Sequence, residues 1–116
     1  MDFKTLRVAN VLRQREWDRD DKITLEFRGN ELAGEVGEAC NIIKKLARER
    51  LGIAGSRATV AQLEEELADI GICIDLIAMH IEKEYNVKLD LGDAIARKFN
   101  KTSVANGLNT CIALEK

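Results

Sequence analysis

Gln62-Leu63-Glu64-Glu65-Glu66-Leu67-Ala68-Asp69-Ile70-Gly71-Ile72-Cys73-Ile74-Asp75-Leu76-Ile77 is the stretch whose reading decides the fold. Leu63, Leu67, Ile70, Ile74, Ile77 and Ile81 recur at alternating spacings of four and three, the pattern of a helix with one apolar stripe. Thr59, with Gln62 three residues on, supplies a capping box at its start, and the stripe runs to about Glu84. A helix over 59–84 is ~39 Å long at 1.5 Å per residue. A compact chain of this size has a radius of gyration of only ~13 Å, so such a rod overshoots its own globule. Packing against a second copy would cover the excess, which predicts a homodimer or homotetramer.

Upstream, Leu32, Val36, Ala39, Ile43 and Leu46 form a second stripe. This helix can begin as early as Thr24, although Gly29 weakens its first turns by ~1 kcal/mol relative to alanine. Lys44, Lys45, Arg48 and Arg50 complement the dipole at its end, Gly52 stops it, and residues 52–58 form a glycine-containing loop. Asp2 caps a first helix reaching about Trp17, with Phe3, Val8, Val11 and Leu12 inward. Residues 18–23 are a charged connection. Ile23, Leu25 and Phe27 alternate as in a strand, but three residues are too few to displace the helix. Asp90 caps a fourth helix through roughly Lys101, with Leu91, Ile95 and Phe99 inward; Asn106-Gly107 then turns the chain into a tail that receives no assignment. The expectation is a single all-α domain over 1–116, an antiparallel helical bundle of about four helices with one long helix. The absence of proline agrees, because proline breaks helix interiors.

A net charge of -2 with 33% charged residues gives a mixed surface and argues against a nucleic acid polymer as partner. Cys40, Cys73 and Cys111 have no metal-ligand spacing and read as buried thiols of a reducing compartment. The apolar runs are interrupted by charge and no signal-peptide pattern is present, so the expectation is a cytoplasmic protein without a membrane span. Gly52-Ile53-Ala54-Gly55-Ser56 lacks the ending of a phosphate-binding P-loop.

Two acidic motifs carry the chemistry: Glu35-Val36-Gly37-Glu38 and Glu66-Leu67-Ala68-Asp69. In each, two carboxylates three residues apart share a helix face. With Glu35 at zero on a wheel of 100° per residue, Glu31 and Glu38 fall near ~320° and ~300°, and the apolar stripe spans ~20–100°. With Glu66 at zero, Asp69 falls near ~300° and its stripe spans ~20–80°. Both acid pairs therefore sit on the same shoulder of their stripes and can border one cleft. Like charges ~4 Å apart repel by ~4 kcal/mol at an effective dielectric near 20, and Mg²⁺ would reverse that sign while leaving positions for water and phosphate. Asp75 and Glu64 fall on the far, solvated side of the helix. His80 lies ~21 Å along the rod from Glu66 and reads as structural or surface.

The order of these motifs resembles the ExxE…ExxD signature of the MazG-like all-α nucleoside triphosphate pyrophosphohydrolases. Arg15-Glu16-Trp17-Asp18, Asn41-Ile42-Ile43-Lys44-Lys45-Leu46 and Lys98-Phe99-Asn100-Lys101-Thr102-Ser103 extend the resemblance from about residue 3 to 107. It implies Mg²⁺-dependent hydrolysis of a (deoxy)nucleoside triphosphate to the monophosphate and pyrophosphate, in nucleotide-pool cleaning, with Mn²⁺ able to substitute. Glu35, Glu38, Glu66 and Asp69 match the family's metal ligands. Repulsion within the cluster would leave one carboxylate able to take the proton of the attacking water, and Glu38 is the candidate. Lys98 and Lys101 suit phosphate neutralisation or dipole complementation equally. Asn100 can donate to a phosphate or ribose oxygen, and Asn41 to the nucleotide or to a neighbouring helix. Trp17 suits base stacking or a subunit interface. Two other readings remain at this level: a related hydrolase acting on phosphoribosyl-ATP, and a non-catalytic nucleotide-binding oligomerisation module.

Overall fold

The computed structural model describes residues 1–115. Four helices follow in order: α1 (Phe3–Trp17), α2 (Leu25–Arg50), α3 (Val60–Tyr85) and α4 (Leu91–Ala105), with no strand among the described residues. Asp2, Thr24, Thr59 and Asp90 cap their helices, each accepting a backbone N–H from three residues on. At Thr59 the reciprocal bond from Gln62 completes the capping box. The Ile23–Phe27 alternation does not make a strand, and Thr24 opens α2 in its midst.

Where one long helix was expected there are two, since α2 and α3 each have 26 residues. Glycine lowers helix propensity without clashing, and Gly29, Gly34 and Gly37 leave α2 unbroken. The two helices form an antiparallel hairpin whose connection turns on Gly52 (φ 69°) and Gly55 (φ 136°). At Gly55 a Cβ would stand 2.7 Å from the guanidinium of Arg48, which donates to the Ser56 carbonyl and closes the loop. None of the helices is long and apolar enough to cross a membrane.

The buried face of α1 keeps two of its four expected apolar residues, Phe3 and Val11, both half-buried, and replaces the other two with polar ones. Val8 and Leu12 are exposed, at 62% and 54%, whereas Asn10 is 1% exposed and Arg7 and Gln14 also point inward. The reason lies on α3, where Asp75 is itself 1% exposed rather than solvated. Arg7 Nε donates to both Asp75 oxygens at 3.1 and 3.2 Å, and the Asn10 amide donates to Oδ2 at 2.9 Å. Arg7 also pairs with Glu82. A buried carboxylate needs a cation and hydrogen-bond donors, and that requirement turns the polar face of α1 inward. Buried residues of α3 therefore lie all round its middle: Cys73, Asp75, Leu76 and Ala78.

Only Cys73 of the three cysteines is buried; Cys40 and Cys111 are exposed. On the expected stripes, Ala39 is buried and Leu32, Leu46, Leu63, Ile70, Ile77 and Ile81 are half-buried. Val36, Ile43, Leu67 and Ile74 stay exposed. The single chain is open, with a radius of gyration of 17.6 Å. α4 leans its start on Phe3 and holds the tail through Asn100, whose amide exchanges two hydrogen bonds with the backbone of Ile112.

Candidate functional site

Arg28, Glu31, Glu35 and Glu38 follow one another on α2 at spacings of three and four, so they line one stripe of that helix. Across the hairpin, α3 presents Cys73, Asp69 and Glu66 in the opposite order. Cys73 Sγ donates to Glu31 Oε1 at 3.6 Å, the charge of Asp69 acts on Glu35, and Glu38 meets Glu66. Carboxylate oxygens of Glu35, Glu38 and Glu66 all lie within 4.8 Å of one another. Asp69 falls outside that tightest group but adjoins it, since its charge helps to raise the pKa of both Glu35 and Glu66.

The electrostatics of this cluster are unfavourable without a cation. Burial first, then the charges of Asp69 and Glu38, push the Glu35 carboxyl above its ordinary value. Burial, then contact with Glu38, does the same to Glu66. One oxygen on each, Glu35 Oε2 and Glu66 Oε2, is buried with no hydrogen-bond partner. Buried acceptors are ordinarily paired, so two orphaned carboxylate oxygens in one cluster form a place where a cation fits. Hard oxygens in this number suit Mg²⁺ or Mn²⁺ rather than a softer metal.

Glu31 and Cys73 were not singled out by the sequence motifs, although Glu31 stands one turn before Glu35 on the same face. Burial and the neighbouring Glu31 carboxylate push the Cys73 thiol up to about 11. It therefore stays a neutral thiol at physiological pH and is no nucleophile.

Of the other predicted substrate contacts only Asn41 adjoins the cluster. Trp17 ends α1, is 74% exposed, and carries the Arg13 guanidinium 5.9 Å above its ring. Asn41 is exposed on α2, one turn past Glu38. Lys98 and Lys101 are exposed on α4 and make no ion pair among the described residues. Asn100, half-buried, spends its amide on Ile112. α4 makes no extensive contact with α2 or α3, so a single chain does not bring Lys98, Asn100 and Lys101 to the acids, whereas Asn41 adjoins Glu38 on α2 itself.

Comparison with protein-family models, with curated proteins and with solved structures finds no match to the chain.

Proposed function

We propose that the chain is a Mg²⁺-dependent nucleotide pyrophosphohydrolase of the MazG-like all-α kind, cleaving a (deoxy)nucleoside triphosphate into monophosphate and pyrophosphate. The observation that carries this reading is the convergence of Glu35, Glu38 and Glu66 with two buried, unpartnered oxygens. A metal held there, with Asp69 beside it, would neutralise the phosphates, steady the leaving pyrophosphate and lower the pKa of an attacking water. Glu38, whose carboxylate touches Glu66 and is the most exposed of the three glutamates, takes the role of base in this reading.

The same proposal assigns the exposed apolar faces, including Val8, Leu12, Val36 and Ile43, to contact with a second copy. Such a copy would also be the source of Lys98 and Lys101 for phosphate binding and the cover for Trp17. The test is a panel of nucleoside triphosphates and phosphoribosyl-ATP, with and without Mg²⁺, read by pyrophosphate release. Release from one or more of them that requires the metal supports the reading; none from any of them overturns it.

A further inference from the structure

Apart from the acid cluster, a groove of about 810 Å³ opens between α1, the 18–21 connection and the C-terminal half of α3, with Arg28 of α2 in its wall. That volume lies within the range of small-molecule sites, roughly 300–1,000 Å³. Six cations line it, Arg7, Arg15, Arg19, Arg28, Lys83 and Lys88, against three carboxylates.

The carboxylates are all occupied. Asp18 accepts the backbone N–H groups of Lys22 and Ile23, Asp21 pairs with Lys83, and Glu82 holds Arg7 and the N–H of Leu89. Arg15, Arg19, Arg28 and Lys88 are left with no ion pair among the described residues. Arg28 is the telling member. It is 4% exposed, one terminal nitrogen donates to Gln14 Oε1 at 2.8 Å, and its Nε is buried without any partner. Asp18 lies near enough to act on this guanidinium through its charge, but its oxygens accept the backbone N–H groups of Lys22 and Ile23, so the buried Nε has no acceptor and an anion in the groove would supply one. Four unpaired cations along one groove call for a ligand with several negative charges, and Arg forks suit phosphate oxygens.

We propose that this groove is a binding site for a multiply charged phosphate anion, centred on Arg28 with Arg15, Arg19 and Lys88 at its rim. It is separate from the acid cluster, needs no metal, and does not depend on the chain being a pyrophosphohydrolase.

The experiment is calorimetric titration of the full chain with inorganic pyrophosphate in EDTA, at low and moderate salt. Saturable binding that weakens as salt rises is expected. Arg28→Gln should weaken it at least tenfold. Because Arg28 is buried, the exposed pair Arg15→Gln/Arg19→Gln is measured as well, with helicity checked by circular dichroism; it should weaken binding severalfold with the fold intact. Glu35→Gln/Glu66→Gln should bind pyrophosphate at least as well as the natural chain. Absence of binding to the natural chain, unchanged binding in both arginine variants, or loss of binding in the glutamate variant would each overturn the proposal.

Discussion

Glu35 and Glu66 approach each other across the α2–α3 hairpin with carboxylate oxygens within 4.8 Å, and each keeps one oxygen buried and unpartnered. A cation that binds only this folded arrangement stabilises it by mass action, by about 2.7 kcal/mol at a hundred times its dissociation constant. Millimolar Mg²⁺ is therefore expected to raise the melting temperature by several degrees over the protein in EDTA. A flat response by calorimetry would remove the metal from the site.

The same two residues set a pH dependence in the metal-free state. Their folded pKa values are raised above the ordinary 4.5, so the folded chain holds protons that the unfolded chain has released. Stability from these groups is complete below 4.5 and is lost as pH climbs through the raised values. Glu66→Gln should accordingly raise the melting temperature in EDTA at pH 7, with little effect at pH 4. An unchanged or lower melting temperature at pH 7 would show that the crowding of these carboxylates is without energetic consequence.

For turnover, Glu38→Gln and Asp69→Asn should each lower Mg²⁺-dependent pyrophosphate release at least a hundredfold, with helicity unchanged. Removal of a metal ligand or a base acts on the transition state, so kcat should fall more than KM rises. Activity surviving in both variants would sink the assignment of this cluster.

Asp75 is the buried hub of the α1–α3 contact, bonded to Arg7 and Asn10. Asp75→Ala leaves Arg7 its pairing with Glu82 but takes the acceptor from the buried Asn10 amide and from Arg7 Nε, and buried donors left unsatisfied cost about 1–3 kcal/mol. Denaturant unfolding should register that loss, and a loss under 1 kcal/mol would mean that α1 is held by other contacts.

Gly29 lies in the first turns of α2, and a Cβ built there meets nothing within 4 Å. Gly29→Ala should then stabilise by about 0.5–1 kcal/mol, through helix propensity and a less flexible unfolded chain. A destabilised variant would reveal a neighbour at that face beyond the single chain.

Much of the architecture was legible in one sequence because local signals decide it. Asp2, Thr59 and Asp90 cap where spacing predicted, and the matching phase of the two acidic motifs did place Glu35, Glu38 and Glu66 together. Asp75 was illegible for a physical reason. A helical wheel distinguishes the apolar side of α3 from the opposite one, but it says nothing of a second helix covering that opposite side. Once α1 does so, Arg7 and Asn10 face inward and Val8 and Leu12 are left outside. Arg28 is illegible for the same reason, since a lone arginine about two turns before an acidic motif reads as an ordinary surface charge until its burial is seen.

The antiparallel pairing of Glu31 with Cys73 and of Glu38 with Glu66 also divides the chain by its tolerance to changes in length. One residue inserted inside α2 or α3 turns everything beyond it by ~100° and carries carboxylates out of the cluster. A residue added between Leu51 and Ala58 lies outside both helices and leaves those pairs in step. Insertions and deletions that preserve the site should therefore fall in this connection or in the 18–24 and 86–90 connections that flank the hairpin, and those are the natural places to add a tag or open the chain.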